Sequence, residues 1–189
     1  MVSQHAFSVG CRWPAVLLAI VALSAAILWW QLRDPGTAAR YRLDAAAVRA
    51  LPADAAGDER LLKHLGSLMR DDGGAPWQDL GGPQRTVVVA LCGEQMVPRM
   101  GLANYIATMQ QGQAVPTLDE IAAAYDELGC REAADVIGDI RALLAAHAWP
   151  PGAAQVGLLE QRLRAAFVVA ATARRAFVVT HAEDIANGR

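Results

Sequence analysis

The most apolar run of the chain, Pro14 to Leu32, constrains its architecture more than any other feature. It reads PAVLLAIVALSAAILWWQL, and the nearest charged residues are Arg12 before it and Arg33 after it. At a rise of about 1.5 Å per residue, about 20 apolar residues in a helix cross the hydrocarbon core of a bilayer. Tryptophan, which favours the headgroup region, lies at both ends, as Trp13 and Trp29–Trp30. The run therefore predicts a single N-terminal transmembrane helix.

Two other interpretations of this run are a buried core helix and a signal peptide that is later removed. A core helix of this length rarely stays apolar on every side. A signal peptide has a shorter apolar region followed by a small-x-small cleavage site, whereas the run here ends in WWQLRD. We therefore predict an uncleaved anchor that follows a short N-terminal tail over residues 1–13 and has the lipid bilayer as its partner.

The arginines beside the predicted anchor bear on its orientation. Arg12 precedes the run, while Arg33, Arg40 and Arg42 follow it. The positive-inside rule then favours a cytoplasmic C-terminal domain, although a short N-terminal tail before an anchor more often stays inside. On the arginine count we predict a single-pass protein of the inner (cytoplasmic) membrane with its domain in the cytoplasm.

Small residues four positions apart occur twice within the run, as Ala15/Ala19 and Ala22/Ala26. Such pairs allow two membrane helices to pack closely. Because the run is rich in alanine, they also arise by chance. Homodimerisation through the membrane is therefore a hypothesis that the pattern permits.

The chain beyond the anchor suffices for one domain, and its apolar pattern is helical. Residues 33–57, rich in alanine and arginine, predict a juxtamembrane linker, either a short helix or a loose tether. Residues 58–189 predict an all-α domain, a small helical bundle. Its helices are predicted over 58–70, 77–97, 100–111, 117–128, 131–147 and 156–185. The last pattern is compatible with one helix or two.

The clearest local signal is an αα-hairpin over 117–128 and 131–147. Thr117, followed three residues later by Glu120, has the spacing of a capping box, and Gly129 is placed to end the first helix in a left-handed conformation. The run VVVALC at 87–92 would also suit a buried strand. Pro83, which fits the first turn of a helix, and the length of the apolar pattern favour a helix there.

Composition excludes some classes of function. The residues from Arg33 onward carry a net charge of −3, without the basic stripe of a nucleic-acid-binding protein, so no direct nucleic-acid binding is expected. Cys92 and Cys130 lie in helical apolar patterns and predict buried thiols, while Cys11 lies beside the anchor. Neither a disulfide framework nor a zinc site follows from this spacing.

No motif for catalysis or cofactor binding is present. Ser67, the only serine beyond the anchor, lies three residues from His64, and we interpret the two as a surface pair because nothing orients the histidine as a base. Metal-binding, phosphate-loop and dinucleotide patterns do not occur. We therefore predict no catalytic residue, no metal site and no cofactor.

A set of residues in the middle of the chain follows the spacing of a known domain pattern. The matching positions are Trp77, Leu80, Val97, Gly101, Tyr105 and Gly129. They fit a Trp-x-x-Leu start, a Val-Asn-Asn-Gly-Gly-Phe-x-x-Tyr-Phe signature and a later hairpin, except that Pro98-Arg99-Met100 replaces the Asn-Asn-Gly step. Over about residues 60–145 the chain thus resembles a bacterial, largely uncharacterised family of helical domains, named for the C-terminal domain of a DNA-mimic protein.

The resemblance implies an all-helical interaction domain without known catalytic machinery. The family's named member resembles duplex DNA electrostatically and occupies a DNA-binding protein. The nearest equivalent in this chain is a group of seven acids within 21 positions, opposed there only by Arg131. These acids are Asp119, Glu120, Asp126, Glu127, Glu132, Asp135 and Asp139. They are either a candidate protein-binding acidic face or the solvated side of an amphipathic hairpin.

Because the net charge beyond the anchor is only −3, we carry over the interaction role and not the mimicry of DNA. The sequence therefore predicts a membrane-anchored, non-catalytic protein-binding module that holds a partner at the membrane. The alternative, from a different class, is a membrane-tethered periplasmic enzyme or envelope accessory factor. The compartment of the domain distinguishes the two.

Overall fold

The computed structural model describes residues 40–69 and 76–187 of the chain. This described part is all-α, with eight α-helices, one short 3-10 helix and no strand. The described residues from Tyr41 onward form one compact unit. The predicted tail, the predicted anchor and residues 33–39 of the predicted linker lie outside the described residues. None of the helices that are described is both long enough and apolar enough to span a bilayer.

The helices follow one another with short connections. In chain order they are α1 (Ala45–Arg49), α2 (Ala55–Gly66), α3 (Gly82–Met100), α4 (Leu102–Gln110), α5 (Leu118–Glu127), α6 (Arg131–Ala145), α7 (Ala153–Thr180) and α8 (Ala182–Asn187), with the 3-10 helix at Pro76–Asp79 between α2 and α3.

The second half of the predicted linker is part of the helical bundle. Val48 in α1 and Leu51 after it are buried in the core. The side chain of Asp54 accepts a hydrogen bond from the Gly57 N–H, so α2 begins at Ala55 rather than at the expected Asp58. Alanine dominates this stretch, so its few large apolar residues are too sparse to show a helical period.

The central helix is α3, which packs against α2, α4, α5, α7 and α8. Because other helices surround α3, Val87 to Leu91 are buried on every side of the helix. The run VVVALC is therefore apolar throughout, as a buried strand would be. The prediction of a helix here is confirmed. The helix runs through Pro98 to Met100, however, and the break falls at Gly101, whose φ of +80° favours glycine.

The predicted αα-hairpin is present as α5 and α6. Thr117 and Glu120 form the expected capping box, and Gly129 has a φ of +73°. The apolar face of α5 lies in the core, as its spacing predicts, and comprises Leu118, Ile121 and Tyr125. The final pattern resolves into two helices, because α7 ends at Thr180 and α8 follows at Ala182.

Candidate functional site

The acids of α5 are largely engaged by other parts of the fold. Glu120 accepts hydrogen bonds from Trp77 Nε1 at 3.1 Å and from Arg85 at 2.9 Å. Burial alone would raise the pKa of Glu120, but the hydrogen bonds from Thr117, Trp77 and Arg85 together lower it. Asp119 forms an ion pair with Arg141, and Glu127 accepts a hydrogen bond from the Thr86 hydroxyl.

The seven acids therefore do not form one uniform negative face. Within the sequence window Arg131 is the only base, yet the fold brings Arg85, Arg141 and Arg162 to three of the acids. Four of the seven acids make no ion pair within the described residues; they are Asp126, Glu127, Glu132 and Asp135. The last two lie on α6, where they border a groove.

This groove runs between α6 and α7 and consists of two depressions. The first, about 290 Å³, is lined by Glu132, Asp135, Val136, Arg162, Ala165 and Ala166. The second, about 380 Å³, is lined by Asp139, Ala142, Leu143, Gln155, Leu158, Leu159 and Arg162. Arg162 lines both and binds Asp139 at 2.8 Å, so this ion pair divides the groove. Between charged rims the lining is mostly apolar.

The outer face of α7 continues this surface. The exposed fractions of Leu158, Val168, Val169 and Val179 are 55%, 75%, 58% and 41%. The opposite side of α7 supplies core residues such as Leu159, Leu163, Phe167 and Ala170, so the helix is apolar on two sides. Helices apolar on every side are normally buried, and exposed apolar patches mark interaction sites. Within the described residues nothing covers the outer face of α7.

A buried ionic cluster fixes α7 to the core on its inner side. Arg174, only 3% exposed, donates to both carboxylate oxygens of Asp58 at 2.6 and 3.0 Å and to Glu94 at 2.9 and 3.3 Å. Burial raises the pKa of Glu94, although the Arg174 guanidinium opposes this effect. The cluster joins α2, α3 and α7, and its role is therefore structural.

His64 and Ser67 do not form the expected surface pair. His64 is fully buried; its Nδ1 accepts the Leu43 N–H at 3.0 Å, and its Nε2 lies 3.0 Å from the Ile185 carbonyl oxygen. Because Nδ1 accepts, the proton of the neutral ring is assigned to Nε2, which donates to Ile185. The Ser67 hydroxyl donates to the backbone carbonyl of His64 at 2.6 Å. No nucleophile–base pair exists between these two side chains.

The positions that carry the family resemblance are packing and turn positions in this fold. Trp77, Leu80, Val97 and Tyr105 are buried, and the Tyr105 hydroxyl donates to the Pro116 carbonyl oxygen at 2.6 Å. Gly101 and Gly129 have positive φ angles. These residues hold the bundle together and do not line the groove.

The described residues offer little reactive chemistry. Cys92 and Cys130 are free thiols, and burial raises the pKa of Cys92 to about 11, which keeps it protonated at neutral pH. No group of three or more His, Cys, Asp or Glu residues among those described could hold a metal ion. Cys11 lies outside the described part of the chain.

Comparison of the chain with known protein families, with curated proteins and with solved structures finds no match. The candidate functional site is therefore the surface formed by α6 and α7. We refer to the groove between the two helices and the outer face of α7 together as the α6–α7 face.

Proposed function

We propose that the protein is a membrane-anchored, non-catalytic protein-binding module and that the α6–α7 face is its binding surface. The observation that carries this proposal is the outer side of α7, where Val168 is 75% exposed on a helix whose other side is already buried. Leaving so much apolar side chain in water is costly, at about 25 cal/mol per Å². A partner that covers it recovers this free energy.

The shape and charge of the face suit a helix rather than a small molecule. Its depressions are divided by the Asp139–Arg162 ion pair, so neither offers one enclosed apolar cavity. Its apolar residues recur along a helix of 28 residues, about 42 Å at 1.5 Å per residue. Recognition of an amphipathic helix uses such an extended apolar surface with charged rims.

Six of the seven acids of the hairpin divide between two roles in this proposal. Glu132, Asp135 and Asp139 border the groove and form the acidic rim of the binding surface. Asp119, Glu120 and Glu127 make contacts within the fold. The resemblance to the DNA-mimic-related family supports the same class of function, an interaction domain, and adds no catalytic role.

The predicted anchor would hold the domain close to a bilayer. Seven residues lie between Leu32, the end of the run, and Arg40, so the eight steps of extended chain from Leu32 to Arg40 span at most about 28 Å. The domain would then meet partners at the membrane of the compartment that it occupies, which we propose is the cytoplasm.

Site-specific photo-crosslinking of the full chain in cell membranes tests the binding surface. A photoreactive residue at Val168 should give protein adducts, whereas one at Ala107, exposed on α4, should not. Adding Ala165→Asp, which places a charge on the outer face, should abolish the adducts. Equal yields at both positions, or none at Val168, would contradict a binding role for this face.

A further inference from the structure

We propose that the occupant of the α6–α7 face is a second copy of this chain, so that the protein is a homodimer formed through α6 and α7. This inference rests on the proposed function and names its partner. It is carried by the spacing of the apolar residues on α7 and by charges of opposite sign that one chain cannot bring together.

The apolar row on α7 has the spacing of a helix–helix interface. Leu158, Ala165, Thr172 and Val179 are seven positions apart, and Val168 lies on the same side of the helix. Ala165 and Thr172 are small, so a second helix can approach the backbone closely at the middle of the row. A row of this kind on one copy can pack against the same row on another copy.

Charges on the two sides of the face are complementary. Glu132 and Asp135, on the acidic rim of the groove, make no ion pair within the described residues. Arg164 is exposed and likewise has no ion-pair partner in the described part of the chain. Glu160, the one acid of α7, is occupied because it accepts the Leu102 N–H at 2.6 Å. Arg164 therefore places one unpaired positive charge beside the apolar row of α7, opposite in sign to the unpaired acids Glu132 and Asp135 on the α6 rim.

Within one chain these charges face away from each other. Residues two positions apart on a helix differ in direction by about 200°, so Arg164 projects away from the groove that Arg162 lines. Along the axis of α7, Arg164 lies at the level of Glu132 and Asp135. Its neighbours Arg162 and Ala165 border the same depression as those acids. A second copy that packs its α7 against the face can place its own Arg164 beside them.

Two-fold symmetry makes this contact occur twice. In an isologous pair, each copy offers its Arg164 to the acids of the other, while the two apolar rows are buried between them. The α6 and α7 helices of both copies then form a four-helix bundle, the arrangement in which paired helices with one open apolar side commonly close. An unrelated basic partner would pair only with the acidic rim of α6, and an unrelated acidic partner would pair only with Arg164 of α7.

The mass of the full chain in detergent, from size-exclusion chromatography with light scattering, tests this proposal. We expect a dimer. Arg164→Glu should raise the dimer dissociation constant at least about tenfold, because it places like charges together at two symmetric contacts. Arg60→Glu, an exposed arginine on α2, should leave the constant unchanged. Circular dichroism would establish that both variants keep their helical content.

Exchanging the charges of α6 and α7 tests whether these residues contact one another across the dimer. Glu132→Arg with Asp135→Arg should weaken the dimer as Arg164→Glu does, and the three changes combined should restore most of the association. Ala22→Ile with Ala26→Ile should leave the dimer intact, since these residues lie in the predicted anchor. A chain that is monomeric, a dimer insensitive to Arg164→Glu, or a charge exchange that restores nothing would overturn the proposal.

The adducts formed at Val168 separate this proposal from the more general one. Adducts with the mass of two copies support the second copy as occupant. Adducts with a different protein, formed by a monomeric chain, would leave a protein-binding role standing and refute the homodimer. Adducts with lipid alone would refute both proposals and indicate that the α6–α7 face contacts the bilayer. A yield no higher than that of the Ala107 control would also refute both.

Discussion

Arg174 illustrates how single buried polar side chains decide the stability of this fold. Its guanidinium meets two carboxylates, of which Glu94 has a side chain only 11% exposed and Asp58 one that is 30% exposed. A buried charge that loses its partner costs far more than the intact pair contributes. The cluster is therefore expected to matter most when it is broken on one side.

We expect Arg174→Met to lower the free energy of unfolding by about 3 kcal/mol, because it leaves the Glu94 carboxylate buried without a counter-charge. Urea denaturation measures the change. Adding Glu94→Gln should recover at least about 1 kcal/mol, since the uncompensated charge is then gone. Arg60→Met, on the exposed side of α2, is the matched control and should change stability by less than about 0.5 kcal/mol.

His64 makes stability depend on pH. Burial lowers its pKa below the usual value, so the unfolded chain binds the proton more readily than the folded one. Stability therefore falls as the pH drops below about 6.5, the ordinary pKa of histidine. Protonation also removes the acceptor that binds the Leu43 N–H.

Denaturation of the full chain at about pH 7.5 and about pH 5.5 measures this dependence. We expect His64→Gln to flatten it and His147→Gln, at an exposed position, to leave it unchanged. A slope that is identical in all three proteins would show that His64 does not set it. The burial of His64 could have been predicted, because it follows Leu61 by three residues and so shares a face with that buried leucine.

At the scale of single elements, local signals predicted structure well where the structure is itself local. The capping box at Thr117 and the left-handed turn at Gly129 are set by residues close in sequence, and both occur as expected. The end of α3 was not predictable in this way. Pro98 indicates a break, but its position late in a long, well-packed helix lets the helix continue to Met100.

Two glycines of the hairpin should respond in opposite directions to alanine. Gly129→Ala should destabilise the protein by about 1 kcal/mol, because alanine is strained at a φ of +73°. Gly138→Ala should stabilise it by about 0.5–1 kcal/mol, because the position is helical and an added Cβ meets nothing within 4 Å. Thermal unfolding should show melting temperatures that move down and up, respectively. Shifts of the same sign would contradict the assigned backbone geometries.

At the scale of the whole molecule, the proposed binding surface could not be predicted from the sequence. The inward residues of α7, such as Leu159, Leu163 and Phe167, were predictable from their spacing and are buried. The groove instead depends on how α6 lies beside α7, and the pairing of Asp139 with Arg162 joins positions 23 residues apart. The sequence window contains only one base because the arginines that neutralise its acids lie outside it: Arg85 on α3, Arg162 on α7 and Arg141 two residues beyond its end.

Compartment is the property of the whole molecule that most limits its partners. We expect an engineered cysteine at Ala107, in a Cys11→Ser background, to resist a membrane-impermeant maleimide in intact cells and to react after lysis. Cys130 is buried and Cys92 is partly buried, and the raised pKa of both thiols keeps their background labelling low. Labelling of intact cells would instead place the domain outside the cytoplasm and favour envelope partners.

The seam between α1 and α8 has a mechanical consequence. His64 accepts the Leu43 N–H at Nδ1 and donates from Nε2 to the Ile185 carbonyl oxygen, so it joins the segments at the start and end of the domain. Arg49 of α1 also forms an ion pair with Glu183 of α8 at 2.9 Å. Tension that enters the domain at Arg40 therefore loads this seam before it reaches α3 or the hairpin. Force along the tether is therefore expected to detach α1 first, because α8 is also held to α3 by the hydrogen bonds that Gln84 donates to the Asp184 and Ile185 carbonyl oxygens.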